Sequence, residues 1–252
     1  DGRLAGSNFA TRWGSFGFFG PLTVRPDLWD RGVAQALLGP TIDLFTQWGV
    51  REAGLFTFSN SPKHLALYQK FGFWPRSLTA IMSRASGPRE TSFLRYSGLR
   101  EPEREQALGA CRDLTDSIFE GLDVTPEIRA VQNQRLGDSI LLWGGDALDG
   151  FAVCHCGEGT EAGRDHCYIK FGAARRGPGA DSRFERLLDA CETLAAERGL
   201  QTLTAGVSLA RRQAYRQMLR RGFRTGMLGV AMHNPDAPAY NRANVFVIDD
   251  WR

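Results

Sequence analysis

The residues Val24-Arg25-Pro26-Asp27-Leu28-Trp29-Asp30-Arg31-Gly32-Val33-Ala34 connect a short apolar run, residues 17–24, to a stretch with helical periodicity, residues 32–48. We therefore expect a strand that turns directly into a helix. Gly32 and Ala34 leave the backbone amides of this turn uncovered at the helix N-terminus. Unpaired N–H groups and the helix dipole favour a phosphate at such a place. Taken alone, a plain strand-to-helix turn explains the stretch equally well.

The sequence around this turn recurs later in the chain at a fixed spacing. Gly72-Phe73 returns as Gly222-Phe223, and we call the spacing from Gly72 to Gly222 the repeat offset. The same offset relates Leu37-Leu38 to Leu187-Leu188, Gly49 to Gly199 and Met82 to Met232. It is held without a gap over the whole stretch, which indicates two copies of one fold unit. Each copy is predicted to run strand, helix, strand, helix, strand, so we expect an α/β fold in which each unit has a mixed sheet flanked by helices.

We place the N-terminal unit at residues 1–92 and the C-terminal unit at residues 97–252, joined by the polar stretch 85–102. Upstream of its first shared strand the second copy has two helical stretches and a strand pair. The first copy has only residues 1–15 there, which is room for one strand. Either the chain, which opens with Asp-Gly rather than Met, is truncated, or another segment replaces the missing half of the first unit.

A second informative stretch is Asn60-Ser61-Pro62-Lys63-His64-Leu65-Ala66-Leu67-Tyr68-Gln69-Lys70-Phe71-Gly72-Phe73. It begins with a capping residue followed by proline at the first helical position. Together the two stretches resemble the GNAT superfamily of N-acyltransferases. Gly32 and Ala34 match the pyrophosphate-binding loop Gln/Arg-x-x-Gly-x-Gly/Ala, which follows a Val-x-Pro strand end, although Trp29 stands where Gln or Arg is usual. The second stretch is similar to the family's Asn-x₇-Tyr-x₃-Gly-Phe helix at every marked position.

The resemblance implies acetyl-CoA as cosubstrate, without a metal. It also implies that Tyr68 acts as general acid to the departing thiolate, and that Asn60 bonds the cofactor arm or the helix start. A phenol of pKa about 10 keeps its proton where a thiol of pKa about 8.5 has lost it. An aromatic packed under the helix is the alternative for Tyr68. The cofactor-binding residues that the resemblance implies are Leu22, Thr23, Val24, Trp29, Asp30, Arg31, Gly32, Val33, Ala34, Asn60 and Tyr68.

Gly20-Pro21 lies inside the first apolar run and predicts a β-bulge, because proline cannot donate to a sheet ladder. The family carries a bulge on the equivalent strand, where a freed amide polarises the thioester carbonyl. An irregular strand explains the pattern almost as well. No general base is identified: residues 17–24 and 53–60 contain no Asp or Glu, Glu52 is at the wrong end of its strand, and His64 is expected to face solvent.

The second copy lacks this set of residues. At the repeat offset, Gly32, Ala34, Asn60 and Tyr68 are replaced by Ser182, Phe184, Ala210 and Met218. We therefore predict a degenerate, non-catalytic C-terminal unit, while cofactor binding through its rebuilt loop, residues 175–181, stays open. The strand-like C-terminal run, residues 244–251, either completes the second sheet or reaches across to the first.

Composition sets further expectations. The net charge of +3 is too small to indicate a nucleic-acid ligand. No apolar run approaches the roughly 20 residues that span a bilayer, so no membrane partner is expected. The odd count of five cysteines does not indicate a disulfide scaffold, and we expect a reducing cytoplasm. For the cluster of Cys154, Cys156, His166 and Cys167, buried strand thiols are favoured over a zinc site.

These patterns predict an N-acetyltransferase that acts on a small-molecule or peptide amine, with a homodimer left open. Fold resemblance does not identify the acceptor. A non-catalytic acyl-CoA-binding or regulatory protein is one alternative, and the presence of Tyr68 and Asn60 weighs against it. A catalytic second unit is the other alternative, and Ser182 and Met218 weigh against it.

Overall fold

The computed structural model describes residues 2–87 and 89–251, so Asp1, Arg252 and Pro88 in the predicted join lie outside the described residues. The strands are β1 (Gly6–Ser7), β2 (Ala10–Trp13), β3 (Phe16–Phe19), β4 (Thr23–Val24), β5 (Glu52–Phe58), β6 (Trp74–Ala85), β7 (Leu94–Arg95), β8 (Gly137–Gly144), β9 (Ala147–Cys156), β10 (His166–Ala174), β11 (Thr202–Ser208), β12 (Arg224–Asn234) and β13 (Val247–Ile248). The helices are α1 (Val33–Gln47), α2 (Pro62–Gln69), α3 (Glu101–Ile118), α4 (Thr125–Gln134), α5 (Ala180–Glu197) and α6 (Arg212–Arg220).

The same element order occurs twice, in residues 16–85 (the first repeat) and residues 166–234 (the second repeat). In the first repeat β3 and β5 are parallel, with Phe16 opposite Glu52. In the second, β10 and β11 are parallel, with His166 opposite Thr202. Both members of the pair are shifted by the repeat offset, as the sequence pattern predicts. The predicted mixed α/β class is confirmed.

One continuous sheet joins the two repeats, so the expectation of a separate sheet for each unit is wrong. Its strand order is β2-β3-β5-β12-β6-β11-β10-β9-β8-β7, with β13 added on β10. The last strands are exchanged: β12 lies between β5 and β6, and β6 lies between β12 and β11. Pairing these long strands with the other repeat leaves neither as a free edge, which a folded protein otherwise has to protect. The boundaries at residues 92 and 97 stay a prediction.

The helices cover the two faces of the sheet differently. On one face, α1 and α2 pack on the first repeat and α5 and α6 on the second. On the other face, α3, α4 and residues 239–251 enclose a single core. This second face is concave, because Trp13 lies 5.3 Å from Phe171 and Lys170 lies 5.7 Å above the Phe18 ring although four strands separate β3 from β10. The two repeats therefore face each other across this core.

Several local expectations are decided by the structure. Residues 2–15 form two short strands, β1 and β2, rather than the single strand predicted. Helix α1 runs through Gly39-Pro40 without a break. The C-terminal run meets both alternatives, since β13 pairs with β10 while Trp251 packs on Gly54 of the first repeat. No helix in the described part of the chain is long and apolar enough to cross a membrane.

The five cysteines are free; Cys156 is half-buried and the other four are buried. Cys156 and Cys167 oppose each other on β9 and β10, with their sulfur atoms 3.9 Å apart. Burial raises the pKa of the Cys111 thiol well above its usual range. Within residues 2–87 and 89–251, no group of three or more His, Cys, Asp or Glu side chains is arranged to hold a metal ion.

Candidate functional site

The strands β3 and β5 separate at their carboxyl ends. They are paired from Phe16/Glu52 to Phe18/Gly54. Beyond Gly54, β5 continues to Phe58 along β12, whereas the chain after β3 turns away and pairs through β4 with β1. We call this opening, between residues 19–24 and 55–58, the first fork. In an open α/β sheet, ligands bind at the carboxyl ends of strands where neighbouring strands diverge.

A β-bulge lies at the mouth of the first fork. Phe19 is opposite Ala10 and Thr23 is opposite Ser7. Between these two pairs, the segment from Phe19 to Thr23 has one residue more than the segment from Ser7 to Ala10. One extra residue on one side is the definition of a bulge. Gly20 has φ 142, which only glycine adopts readily. The irregularity predicted at Gly20-Pro21 is therefore present.

The loop after the bulge ends in an uncovered helix N-terminus. Gly32 is the N-cap of α1 and is left-handed, with φ 79. No side chain caps this end and its first turn contains no acidic residue. The first intrahelical bond runs from the Ala36 amide to the Gly32 carbonyl, at 3.0 Å. The preceding amides, including those of Val33 and Ala34, therefore have no partner within the helix and are suited to an anion.

Two side chains of the loop are bonded to the loop backbone and to helix α2. The Trp29 indole donates to the Val24 carbonyl at 3.0 Å, so this residue braces the loop from within. Asp30 forms an ion pair with Lys63 at 2.6 Å, and this contact links the loop to helix α2. Arg31 is exposed. The uncovered backbone amides are therefore the part of the loop that is suited to hold a phosphate.

Tyr68 spans the first fork on the face covered by α1 and α2. It is buried, its ring lies 5.8 Å from Phe19 of β3, and its hydroxyl is close enough to Thr57 of β5 for that residue to affect its pKa. Burial raises the pKa of Tyr68, and the weaker effect of the Thr57 hydrogen bond lowers it. The phenol is thus held protonated at the divergence of the strands. Thr57 was missed from sequence, although the alternation Ala53, Leu55, Thr57 along β5 was the available signal.

The other predicted residues lie at the rim. Asn60 is exposed in the turn after β5, and Ser61 is the N-cap of α2 without a capping hydrogen bond. His64 is also exposed, with its ring 6.5 Å from that of Tyr68 and nearly parallel to it. Glu52 lies opposite Phe16 at the closed end of the paired strands, where burial raises its carboxyl pKa. The structure places His64 on the Tyr68 helix and Asn60 in the turn before it, and keeps Glu52 away.

The concave side of the first fork is walled by residues distant in sequence. A Cβ on Gly54 would lie 2.7 Å from the Trp251 ring, which also lies 4.8 Å from the Phe16 ring. Lys170, above Phe18, pairs with Glu161 at 2.8 Å. The contacts of Trp251 with Gly54 and Phe16, and of Lys170 with Phe18, could not be predicted from the sequence, because each joins the first repeat to the second repeat or the C-terminal run.

A cavity of about 430 Å³ opens at the opposite end of β3, among residues that include Ser15, Gly49 and Asp123. Ser15 precedes β3, whereas the first fork opens after its last residue. The cavity is therefore separate from the region of Tyr68 and the α1 N-terminus.

The second repeat differs from the first at the helix start. Gly179 is the left-handed N-cap of α5, with φ 78, as Gly32 is of α1. At the repeat offset Gly32 still corresponds to Ser182, which lies in the first turn of α5, so Gly179 shares with Gly32 only the role of N-cap. Helix α5 has 18 residues and α1 has 15, and the additional residues lie at the N-terminus. Phe184 points into the core rather than into the turn. Met218, at the position of Tyr68, is fully buried.

Comparison with known proteins finds a similarity in sequence for part of the chain and a similarity in fold for nearly all of it. The family model for the acetyltransferase (GNAT) family matches residues 1–73, which include every predicted site residue. No curated protein matches the chain. A solved structure from Pyrococcus horikoshii assigned as an acetyltransferase superposes with a TM-score of 0.68 at 13% identity, covering 98% of this chain and 75% of that one. A GCN5-related N-acetyltransferase from Sphaerobacter thermophilus gives 0.57 at 14% identity, covering 91% and 76%.

A third solved structure bears on the repeat. It is a tandem GNAT protein from the clavulanic acid biosynthesis pathway, with a TM-score of 0.55 at 13% identity, covering 92% of this chain and 79% of that one. At such identities the likeness concerns the fold alone. Residues 1–73 thus resemble the acetyltransferase (GNAT) family in sequence, and nearly the whole chain shares the fold of these acetyltransferase structures.

Proposed function

We propose that the chain transfers the acetyl group of acetyl-CoA to a primary amine at the first fork. The observation that supports this proposal is the position of Tyr68, whose buried phenol lies beside Phe19 of β3 and Thr57 of β5 where these strands diverge. Helix α1 leads from the carboxyl end of β3 back to the start of the parallel strand β5, so its uncovered N-terminus lies at the carboxyl end of β3. An anion-binding turn and a proton donor thus flank one opening.

The residues present fit acetyl-CoA. The pyrophosphate would be held by backbone amides of residues 29–34, because no acidic side chain stands in the first turn of α1 and a Cβ at Gly32 would meet no atom within 4 Å. The extended arm would lie in the fork along Leu22, Thr23 and Val24, with Asn60 at the rim. When bound, acetyl-CoA supplies the acyl group as a thioester.

Tyr68 moves the proton in this proposal. As the amine nitrogen bonds the acyl carbon and the carbon–sulfur bond breaks, the Tyr68 hydroxyl donates its proton to the sulfur. Its raised pKa keeps the phenol protonated at neutral pH. The backbone at the bulge after Gly20 would polarise the acyl carbonyl. The nitrogen releases its proton to water, since Glu52 lies at the closed end of the strands.

The alternative, an acyl-CoA-binding or regulatory protein without activity, would use the loop and the fork but not a phenol. Tyr68 favours transfer for that reason. We propose a small-molecule or peptide amine as the acceptor.

An acceptor screen tests the proposal. The full chain is incubated with acetyl-CoA and a panel of amines, and thiol release is followed. We expect release with at least one amine class and a loss of roughly 100-fold or more in Tyr68→Phe. Acetyl-CoA binding without thiol release for any amine would favour the non-catalytic alternative. Equal rates in wild type and Tyr68→Phe would exclude the proposed role of the phenol.

A further inference from the structure

The second repeat has a fork of its own. Strands β10 and β11 are paired from His166/Thr202 to Ile169/Ala205. Beyond that point β11 continues along β6, and β10 continues along β9. We call the opening between residues 170–174 and 206–208 the second fork. A register shift between Ile169 and Phe171 also places a bulge at its mouth, at the repeat offset from the bulge region of the first repeat.

The C-terminal run of the same chain fills the second fork. Strand β13 pairs antiparallel with β10, with Ile248 opposite Gly172 and Val247 opposite Ala173. The Ala174 amide donates to the Phe246 carbonyl at 3.0 Å. At the repeat offset, Gly172 and Ala173 correspond to Leu22 and Thr23, the backbone along which the cofactor arm would lie in the first fork. An extended segment therefore already uses these backbone groups.

The C-terminal run also contacts β11, the other strand of the second fork. A Cβ on Gly206 of β11 would overlap the Asp250 side chain, so that glycine leaves room for the run. The Tyr168 hydroxyl of β10 donates to Asp250 at 2.9 Å. Residues 245–251 are thus enclosed by β10 on one side and β11 on the other.

A buried charge anchors the run. Arg211, fully buried, donates to the Val247 carbonyl at 3.0 Å and to the Asp249 carboxylate at 2.7 Å. The Tyr240 hydroxyl donates to the second Asp249 oxygen at 2.8 Å. Arg211 is the N-cap of α6 and corresponds, at the repeat offset, to Ser61, the N-cap of α2. Removing either partner would leave an uncompensated buried charge, so the arrangement opposes release of the run.

The N-terminus of α5, beside the second fork, is also less suited to an anion than the N-terminus of α1. Arg183 donates to the Pro178 carbonyl at 2.9 Å and pairs with Asp149 at 2.8 Å. These contacts fix the loop before α5 against the helix and β9. Asp181 stands in the first turn of α5, whereas α1 has no acidic residue there. A carboxylate at this position opposes the binding of a phosphate.

We propose that residues 245–251 are a permanent intramolecular occupant of the second fork, so that the chain binds a single acetyl-CoA, in the first repeat. This inference rests on the proposed function of the first fork. In the second repeat, the position that the cofactor would take is therefore occupied by residues 245–251 of the same chain. The same run also contributes to the concave wall, because its residue Trp251 packs on Gly54 of the first repeat.

Binding stoichiometry tests the inference. Acetyl-CoA is titrated calorimetrically into the full chain and into Gly32→Glu. We expect one site per chain in the wild type and an affinity weaker by roughly 100-fold or more, with no residual site, in the variant. Two sites in the wild type, one surviving in Gly32→Glu, would overturn the inference and leave the proposed function intact. One site that survives in Gly32→Glu would overturn the placement of the cofactor in the first fork, as would no binding at all.

A cross-link tests the permanence of the occupant. The double variant Ala173→Cys/Val247→Cys places thiols on directly opposed residues of β10 and β13. Opposed antiparallel residues are close enough for a disulfide. We expect the oxidised form, verified by mass spectrometry, to bind acetyl-CoA with unchanged stoichiometry and within twofold of the reduced form. A loss of a site or a tenfold weakening on oxidation would show that the run leaves the fork, and would overturn the inference. Coincident unfolding curves with wild type verify the fold.

Discussion

Replacing Gly32 with alanine separates the conformational role of this residue from its proposed role in cofactor binding. Gly32 has φ 79, where an L-residue is disfavoured by roughly 1–2 kcal/mol. A Cβ there would meet no atom within 4 Å, so no clash adds to this strain. We expect Gly32→Ala to lower the free energy of unfolding by about 1 kcal/mol.

The chain offers a matched control at the other end of the same helix. Gly49 has φ 67, and a Cβ added there would also meet no atom within 4 Å. We therefore expect Gly49→Ala to lose about the same stability in urea unfolding. The two variants should differ in cofactor affinity, since only the Gly32 methyl group would stand between a phosphate and the amides of the first turn of α1.

Calorimetric titration with acetyl-CoA measures this difference. We expect Gly32→Ala to bind at least tenfold more weakly than wild type, which corresponds to about 1.4 kcal/mol. Gly49→Ala should bind within twofold of wild type. Equal affinities for the two variants, at equal stability, would refute the assignment of the α1 N-terminus as the phosphate site.

Three further predictions concern other parts of the molecule. Tyr68→Phe should lower kcat by about 100-fold or more while the acetyl-CoA Kd stays within twofold, because only the proton donor is removed; parallel losses in both would indicate a packing role. Burial lowers the pKa of His233 to about 4 from the ordinary 6.5, so the unfolded state binds more protons and stability should fall by about 3 kcal/mol between pH 6.5 and pH 4. His233→Gln should flatten that loss in unfolding measured against pH, and an unchanged slope would contradict the assignment. Gly54→Ala should destabilise by about 1–3 kcal/mol through overlap with Trp251, whereas Gly39→Ala, with no atom within 4 Å, should not.

The surroundings of His233 in the concave core account for its lowered pKa. His233 is fully buried and its ring lies 4.9 Å from that of Trp251. Its Nε2 atom lies 3.2 Å from the Asn241 amide nitrogen, which donates to the neutral ring. The cations Arg76 and Arg211 add to the effect of burial on the pKa. The pH dependence of the unfolding free energy therefore reports on the packing around His233 and Trp251.

Local patterns in the sequence were sufficient to predict the elements of each repeat. Helix α1, strand β5 and helix α2 follow from apolar spacing, and Ser61-Pro62 marks the N-cap and first turn of α2. The position of Gly20-Pro21 predicted the bulge for the same reason, since the absence of a proline N–H is a property of that residue alone. The repeat offset predicted the two copies, but it did not show that the first helix of the second repeat begins as early as Ala180, because upstream residues can become helical without changing the offset.

What the sequence determined by itself is the order of the elements and the set Gly32, Ala34, Asn60 and Tyr68, since periodicity and turn chemistry act over a few residues. The tertiary structure alone decided the exchange of β6 and β12 and the insertion of residues 245–251 into the second fork. Backbone N–H and C=O groups of any extended segment can complete a ladder, so pairing partners carry no local signature. Which segment fills which fork is decided by buried contacts such as Arg211 with Asp249, and these form only when the chain is folded.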